Sequence, residues 1–230
     1  PCAQRLIFKK TRNGKTTQPD KGCDVDVDSV TSWVLHQCCS PQARQHHHRQ
    51  SKSTPKLTAG PCVSNSRCPE DHFSFYMQSG AANVVAPKIC VQSKLVLGTV
   101  LNNAGLGINV VVLNGKTGAV LQSDHFNMYS DDDKPLIDFL KNIQQGSVVL
   151  MASYDDPSTK LSGEAKKLIG ELGSSVVQSL SFRDNWVFVG GKGVVTSNFE
   201  KLLKNDKEKN KYNNWPELIQ LEGCIPKNLG

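Results

Sequence analysis

The sequence predicts an α+β fold with mixed or antiparallel sheets, and three observations lead to this prediction. Two apolar runs flank Asn114-Gly115 within residues 107–126, which is the strongest short-range signal for a β-hairpin. Apolar residues recur at helical spacing in residues 134–146 and 161–173. The strand-like and helix-like segments also lack the strict β-α alternation that a parallel sheet requires.

The strands are predicted from short runs rich in β-branched, aliphatic and aromatic residues, bounded by turn-forming residues. The continuous apolar run "SVVLMASY" is typical of a strand that is buried on both faces. In chain order the strands are expected at residues 72–78, 88–98, the two arms of the hairpin 107–126, 147–154, 185–191 and 216–223.

The helices are predicted from their spacing and their end signals. In residues 134–146, Pro135 stands early and Gly146 stands at the stop, after an acidic turn that suits the helix dipole. In residues 161–173, Ser162 is a candidate N-cap and Gly173 lies just past the end. A short helix is also predicted at residues 199–204.

The charge of the chain divides it into two parts. Residues 1–60 hold 10 Lys and Arg against 4 Asp and Glu, whereas the remainder holds equal numbers, so the net charge of +6 lies in this arm. We therefore predict a basic, largely disordered N-terminal extension at residues 1–60 and one domain at residues 61–230, with the boundary near Pro61. The arm is typical of either a solvated leader or a segment that holds a polyanion.

Several classes of function are disfavoured. No run of about 18 apolar residues indicates a membrane span, and the neutral domain has no basic stripe of a nucleic-acid binder. The eight cysteines form no paired C-x2-C motifs, and the histidine tract 46–48 lies in a polar arm, so we expect no metal site and no cofactor. No serine or cysteine lies in a recognised nucleophile motif, so we assign no catalytic residue. The cysteine distribution favours an oxidising compartment.

The stretch "FRDNWVFVGGKG" (182–193) resembles a phosphate loop but fails the test. A Walker loop requires G-x-x-x-x-G-K-[ST], whereas Lys192 is followed by Gly193. We favour a structural role for these glycines, at a close approach of another segment or at a positive φ, over direct contact with a ligand.

Two charged pairs are candidate sites. Asp155 and Asp156 follow the buried strand 147–154, where paired carboxylates suit acid/base work, a hard cation or sugar hydroxyls. We interpret Asp156 as the cap of the next turn and Asp155 as the functional candidate. Because neighbouring residues of a strand point to opposite faces, we expect one of Arg183 and Asp184 to form a structural ion pair and the other to remain free for a ligand.

The segments 68–90, 107–121, 126–132, 149–175, 182–193 and 210–227 together resemble the ILEI/PANDER family of secreted, cytokine-like proteins, in collinear order. The resemblance implies two packed, mostly antiparallel β-sheets flanked by short helices around a polar cavity. It also implies disulfides Cys62–Cys90 and Cys68–Cys224. The pairing of Cys2, Cys23, Cys38 and Cys39 in the arm stays open.

The resemblance carries two functional hypotheses. The first is a secreted, extracellular signalling protein that binds a cell-surface receptor without catalysis. The second is a carbohydrate-binding module whose pocket uses Asp155 and Arg183, with Trp186 nearby, because the same domain type binds sugars in a glycosyltransferase stem. Leu106 and Asn127 stand where relatives usually carry charged residues. A hydrolase or transferase that uses the two aspartates ranks last, since no nucleophile or metal-ligand cluster supports it.

Overall fold

The computed structural model describes residues 62, 67–193 and 199–227. In these residues the strands are β1 (His72–Gln78), β2 (Lys88–Val91), β3 (Lys94–Leu97), β4 (Gly107–Asn114), β5 (Val120–Phe126), β6 (Ser147–Tyr154), β7 (Asn185–Gly191), β8 (Phe199–Leu203) and β9 (Gln220–Pro226). Helix α1 (Lys134–Lys141) precedes β6 and helix α2 (Gly163–Glu171) follows it, with short 3₁₀ turns at Thr99–Leu101 and Val177–Ser179. The predicted arm at residues 1–60, its four cysteines and the boundary near Pro61 lie outside the described residues.

The strands form two sheets. A four-stranded sheet has the order β3-β2-β1-β9, and a five-stranded sheet has the order β5-β4-β6-β7-β8. Every strand pair within the described residues is antiparallel. The α+β class with two mostly antiparallel sheets is therefore confirmed.

The central strands of the five-stranded sheet, β4, β6 and β7, are buried on both faces. Alternate residues of β4, such as Val110, contribute to a core shared with Leu136 of α1 and Ile169 of α2. The residues between them, such as Val111, contribute to a second core with Phe75 of β1. The helices, the five-stranded sheet and the four-stranded sheet thus form three successive layers. Because β6 lies in the middle layer, both of its faces are buried, which explains its continuous apolar run.

Five predicted elements need correction. Residues 199–204 form strand β8, which pairs with β7, and not a helix. Residues 88–98 form two strands with a tight connection at Gln92-Ser93. Helices α1 and α2 are shorter than predicted, and the last strand runs later, to Pro226.

Two disulfides fasten the four-stranded sheet. Cys62 is bonded to Cys90 of β2, and Cys68 is bonded to Cys224 of β9, with Cα–Cα distances of 5.6 and 5.5 Å. The pairing implied by the family resemblance is confirmed.

The glycines of "VGGKG" have structural roles. A Cβ on Gly190 would clash with the carbonyl oxygen of Leu172 and with the ring of Phe188, so a side chain does not fit there. Gly193 adopts a φ of +67°, which favours glycine. Lys192 Nζ donates to the carbonyl oxygens of Leu140 and Lys141 at the end of α1, where positive charge is favourable.

Candidate functional site

The two candidate charged pairs meet at one end of the five-stranded sheet. Asp155 and Asp156 follow β6, whereas Arg183 and Asp184 precede β7. Because β6 and β7 are antiparallel neighbours, these two turns lie side by side. The contact is direct, since the backbone N–H of Arg183 donates to Asp156 Oδ1 at 3.3 Å.

Asp156 holds the first turn together. It is fully buried, and its carboxylate accepts hydrogen bonds from the N–H and hydroxyl of Ser158 and from the N–H of Thr159. The capping interpretation of Asp156 is confirmed, although the turn that it caps precedes α2 and is not part of the helix.

Asp184 holds the second turn together. Its side chain is 1% exposed and forms an ion pair of 2.9 Å with Lys204. It also accepts hydrogen bonds from the N–H groups of Ser181 and Asn205. Asp184 is therefore the member of the pair with the structural ion pair, and Arg183 is left for other contacts. The sequence argument treated both residues as part of a strand, whereas they lie in the turn before β7.

Asp155 and Arg183 both have left-handed backbone conformations, with φ values of 64° and 62°. This region is costly for residues with a Cβ, by about 1–3 kcal/mol each. Residues held in such conformations cluster at binding and catalytic sites. Here the two buried aspartates described above hold the turns in place.

The guanidinium of Arg183 lies between two aromatic rings. Its Cζ is 3.8 Å from the centroid of Trp215 and 4.7 Å from that of Phe182. Its Nε is buried and has no hydrogen-bond partner within the described chain. The side chain is therefore oriented by stacking while one donor stays unsatisfied.

The Asp155 carboxyl lies next to this cation without a direct ion pair, judged on the residues that the structure describes. Burial raises its pKa above the usual 3.8, the charge of Arg183 opposes that effect, and Asp156 adds to it. Burial also raises the pKa of the neighbouring Tyr154. The Tyr154 ring covers Gly80, where a Cβ would clash with it.

Two exposed aromatic rings continue the surface around Arg183. Tyr129 is 57% exposed, Phe182 is 43% exposed, and their ring centroids are 6.4 Å apart. We call Tyr129, Phe182, Arg183 and Trp215 the aromatic–arginine surface. Sequence reasoning missed its aromatic members, although a tryptophan in the polar loop "NKYNNWPE" was a signal that could have been used.

Trp186, the third residue of the candidate sugar pocket, lies elsewhere. It is fully buried in the core beneath the helices, stacks on Phe188 and donates from Nε1 to Glu200. The indole that lies against Arg183 belongs to Trp215. A contact between Trp186 and a ligand stays a prediction.

The two positions that depart from the family pattern lie at the same end of the sheet. Leu106 is 36% exposed and precedes Gly107, which pairs with Tyr154. Asn127 follows β5, accepts a hydrogen bond from the N–H of Tyr129 and donates to Ser130. Leu106 and Asn127 are uncharged, so neither adds a charge to this end of the sheet. The charged groups that the sequence analysis assigned to the site are Asp155 and Arg183.

The arrangement is suited to holding a polar ligand. Arg183 offers planar donors, Asp155 offers acceptors, and the aromatic rings offer flat apolar faces. Within the described chain, no group of three or more His, Cys, Asp or Glu residues is arranged to hold a metal ion. None of the helices described is both long and apolar enough to cross a membrane.

Comparison with known proteins identifies the family. The family model described as Interleukin-like EMT inducer, abbreviated ILEI, matches residues 106–194. The chain is 56% identical to Protein FAM3C of Rattus norvegicus over 167 residues, which covers 72% of this chain and 74% of that protein. The chain belongs to the ILEI/PANDER family.

Other members of the ILEI/PANDER family match over similar or longer stretches. Human Protein FAM3C is 54% identical over 167 residues, 72% of this chain and 74% of the relative. Protein FAM3D of Mus musculus is 44% identical over 206 residues, 87% of this chain and 92% of the relative. The chain is therefore a member of a cytokine-like family, with the disulfide-bonded α+β domain described above.

Proposed function

We propose that this ILEI/PANDER family member is a secreted, extracellular signalling protein that binds a cell-surface receptor and carries out no catalysis. The observation that carries the proposal is the aromatic–arginine surface. Tyr, Trp and Arg are the residue types that dominate the binding energy of protein interfaces. Here Phe182 and Tyr129 are exposed, while Trp215 orients the arginine by stacking.

The covalent structure supports an extracellular role. Two disulfides fasten the four-stranded sheet, and disulfides persist in oxidising compartments. The buried aspartates Asp156 and Asp184 hold their turns in place, so the surface is organised before binding.

Binding to intact vertebrate cells tests this proposal. The labelled full chain should bind saturably, and treating the cells with trypsin beforehand should abolish binding because the receptor is a protein. Phe182→Ala should weaken binding about tenfold or more, since it removes a central aromatic contact. Leu121→Ala, at a side chain 49% exposed on β5, is the matched control and should bind like the wild type. Non-saturable or trypsin-insensitive binding would contradict the proposal.

Carbohydrate binding by Asp155 and Arg183 is the second candidate. The specific observations that favour it are the two left-handed backbones and the buried, unpaired Nε of Arg183. Donors and acceptors held beside aromatic faces suit sugar hydroxyls and sugar rings. A glycan array should show selective binding that is lost in Asp155→Ala and in Arg183→Ala but kept in Asp206→Ala. A silent array from folded protein would exclude this candidate.

A further inference from the structure

A second exposed apolar surface lies on the turns of the four-stranded sheet. Four of its side chains are unusually exposed for aliphatic residues: Val84 at 79%, Val85 at 43%, Val100 at 85% and Leu101 at 46%. Single exposed aliphatic residues are ordinary, but several in one place indicate an interaction site. Val84, Val85 and Val100 line one concave pocket of about 320 Å³ together with Leu95 of β3 and Lys88 of β2. We call this the valine pocket.

The first turn that forms the pocket is held by its own backbone. Ala81 and Val85 exchange hydrogen bonds of 2.9 and 3.1 Å, and Val84 N–H donates to the Ala81 carbonyl. Ala82 within this turn has a φ of 50°, an unfavourable conformation for alanine. The turn thus presents Val84 to solvent at an energetic cost, without covering it.

The second turn is held by Asn103. Its side chain accepts from the N–H of Gly98 at 3.0 Å and donates to the carbonyl oxygen of Val96 at 2.9 Å. This bracing fixes the 3₁₀ turn that carries Val100. It also occupies a carbonyl on the edge strand β3, so addition of a partner strand there is disfavoured.

The stretch of chain that includes the pocket carries charges of one sign only. Residues 72–123 contain Lys88, Lys94 and Lys116 and no aspartate or glutamate. Within the described residues, the side chain of neither Lys88 nor Lys94 forms an ion pair or a hydrogen bond. Glu222 lies on β9, at the opposite edge of the same sheet. Among the residues that line the pocket, Lys88 is the charged one. The pocket is therefore a mainly apolar cavity with one basic group in its wall.

The valine pocket also lies near the site already described. A Cβ on Gly80 would clash both with the Tyr154 ring and with the carbonyl oxygen of Val85, so both groups lie beside Gly80. Tyr154 is followed by Asp155 in the chain. One partner can therefore contact the aromatic–arginine surface and the valine pocket together.

We propose that the valine pocket is a second contact region for the receptor protein, and that it accepts one bulky apolar side chain flanked by carboxylates. This inference rests on the proposed receptor-binding function. The concave shape and the volume fit a side chain that inserts from a protein. The side chain of Lys88, which lines the pocket and forms no ion pair within the described residues, sets the expected acidic character of the partner.

The test uses the labelled full chain on intact vertebrate cells, as for the proposed function. The double variant Val84→Asp/Val100→Asp should weaken binding at least tenfold, because it places carboxylates in the apolar cavity. The control Val120→Asp/Leu121→Asp makes the same charge change on β5, where the side chains are 44% and 49% exposed. It should bind like the wild type. Lys88→Glu should weaken binding several-fold, and Lys88→Arg should not.

The outcomes separate this inference from the proposed function. Wild-type binding that is saturable and trypsin-sensitive, but equal in Val84→Asp/Val100→Asp, overturns the valine pocket and leaves receptor binding intact. Wild-type binding that is not saturable overturns the proposed function and the inference with it. Valine-dependent binding to vesicles of 30% phosphatidylserine and 70% phosphatidylcholine would assign the pocket to a membrane and overturn it. A wild-type dimer that the valine variant dissociates would assign it to a second copy, with the same consequence.

Discussion

Asp155 and Arg183 have the same unfavourable backbone conformation on adjacent turns, and their immediate neighbours explain how it is maintained. Asp156 and Asp184 are buried and accept several hydrogen bonds each, including one from the backbone of Arg183. The energetic cost at one residue is thus offset by satisfied carboxylates at the next. In each turn one residue therefore maintains the backbone conformation, and its neighbour carries the proposed ligand contact.

The first prediction concerns the pH dependence of Asp155. Its folded-state pKa is raised by burial, so its charged form is less stable in the folded than in the unfolded chain. Asp155→Asn should therefore be more stable than the wild type at pH 7. This advantage in stability should shrink as the pH falls through the raised pKa of the folded state. It should stop changing below about 3.8, the usual pKa of an aspartate in an unfolded chain. Urea denaturation at several pH values measures it.

Asp206→Asn is the matched control with the opposite sign. A hydrogen bond from Lys209 is the main cause that lowers the pKa of Asp206. Removing that carboxylate should lower the stability at pH 7, and the difference should disappear on acidification through the lowered pKa. A pH-independent difference for Asp155→Asn would mean that its backbone conformation, and not its charge, decides the effect.

Sequence reasoning found part of this site, for a physical reason. Asp155 and Arg183 stand next to strongly apolar strands, and loops at strand ends commonly hold functional groups. Trp215 lies 32 positions beyond Arg183 in the chain, and its contact with the guanidinium depends on tertiary structure. Periodicity within β7 likewise could not tell that Trp186 faces the helices.

Among the elements, the end of β7 shows how the Gly-Gly sequence positions a helix. Gly191 N–H donates to the carbonyl oxygen of Leu172 just past α2, at 3.0 Å. A Cβ on Gly190 would clash with the same oxygen. The close approach of β7 to the end of α2 therefore requires glycine at position 190 because a side chain would separate the two elements.

The second prediction compares two glycines. Gly190→Ala should lower the free energy of unfolding by roughly 1–3 kcal/mol, because the added methyl group has no room. Gly170→Ala in α2 should raise it by roughly 0.5–1 kcal/mol, because no atom lies within 4 Å of the new Cβ and alanine favours helix. Chemical denaturation of both variants measures the difference. Equal effects would show that the close approach at Gly190 is easily relieved.

The elements that sequence analysis misassigned have specific physical causes. Gln92 and Ser93 connect β2 to β3 with φ values of 49° and 61°, as in a type I′ turn, which usually contains asparagine or glycine. Without that signal, residues 88–98 were expected to form one strand. In residues 199–204, an apolar spacing compatible with a helix is overridden by pairing of β8 with β7 and by hydrogen bonds of Glu200 to Ser174 and Trp186.

At the scale of the whole molecule, the ends of the described domain meet in one sheet. β1 and β9 pair along their full length, although they are the first and last strands. Such pairing of distant segments requires closure of a long loop, which is costly in chain entropy. The disulfide Cys68–Cys224 joins the same two regions, with a sequence separation of 156 residues.

The third prediction ranks the two disulfides. In the chain-entropy model, Cys68–Cys224 stabilises the fold by about 5 kcal/mol, and Cys62–Cys90, with a separation of 28 residues, by about 3.5 kcal/mol. Replacing both cysteines of the longer loop by alanine should therefore be the more destabilising change. Urea denaturation measures the order, and peptide mapping without reduction verifies that the other bond is intact.

The packing of the cysteines makes this comparison a stringent one. Cys62 and Cys90 are 5% and 1% exposed, so their replacement by alanine also removes buried sulfur atoms from the core. Cys68 and Cys224 are only half-buried, so their replacement loses less packing. Lost packing therefore acts against the predicted order. If the Cys68/Cys224 variant is nevertheless the less stable, closure of the long loop is the dominant contribution of the disulfides to stability. The reverse order would show that the buried sulfur atoms of Cys62 and Cys90 contribute more.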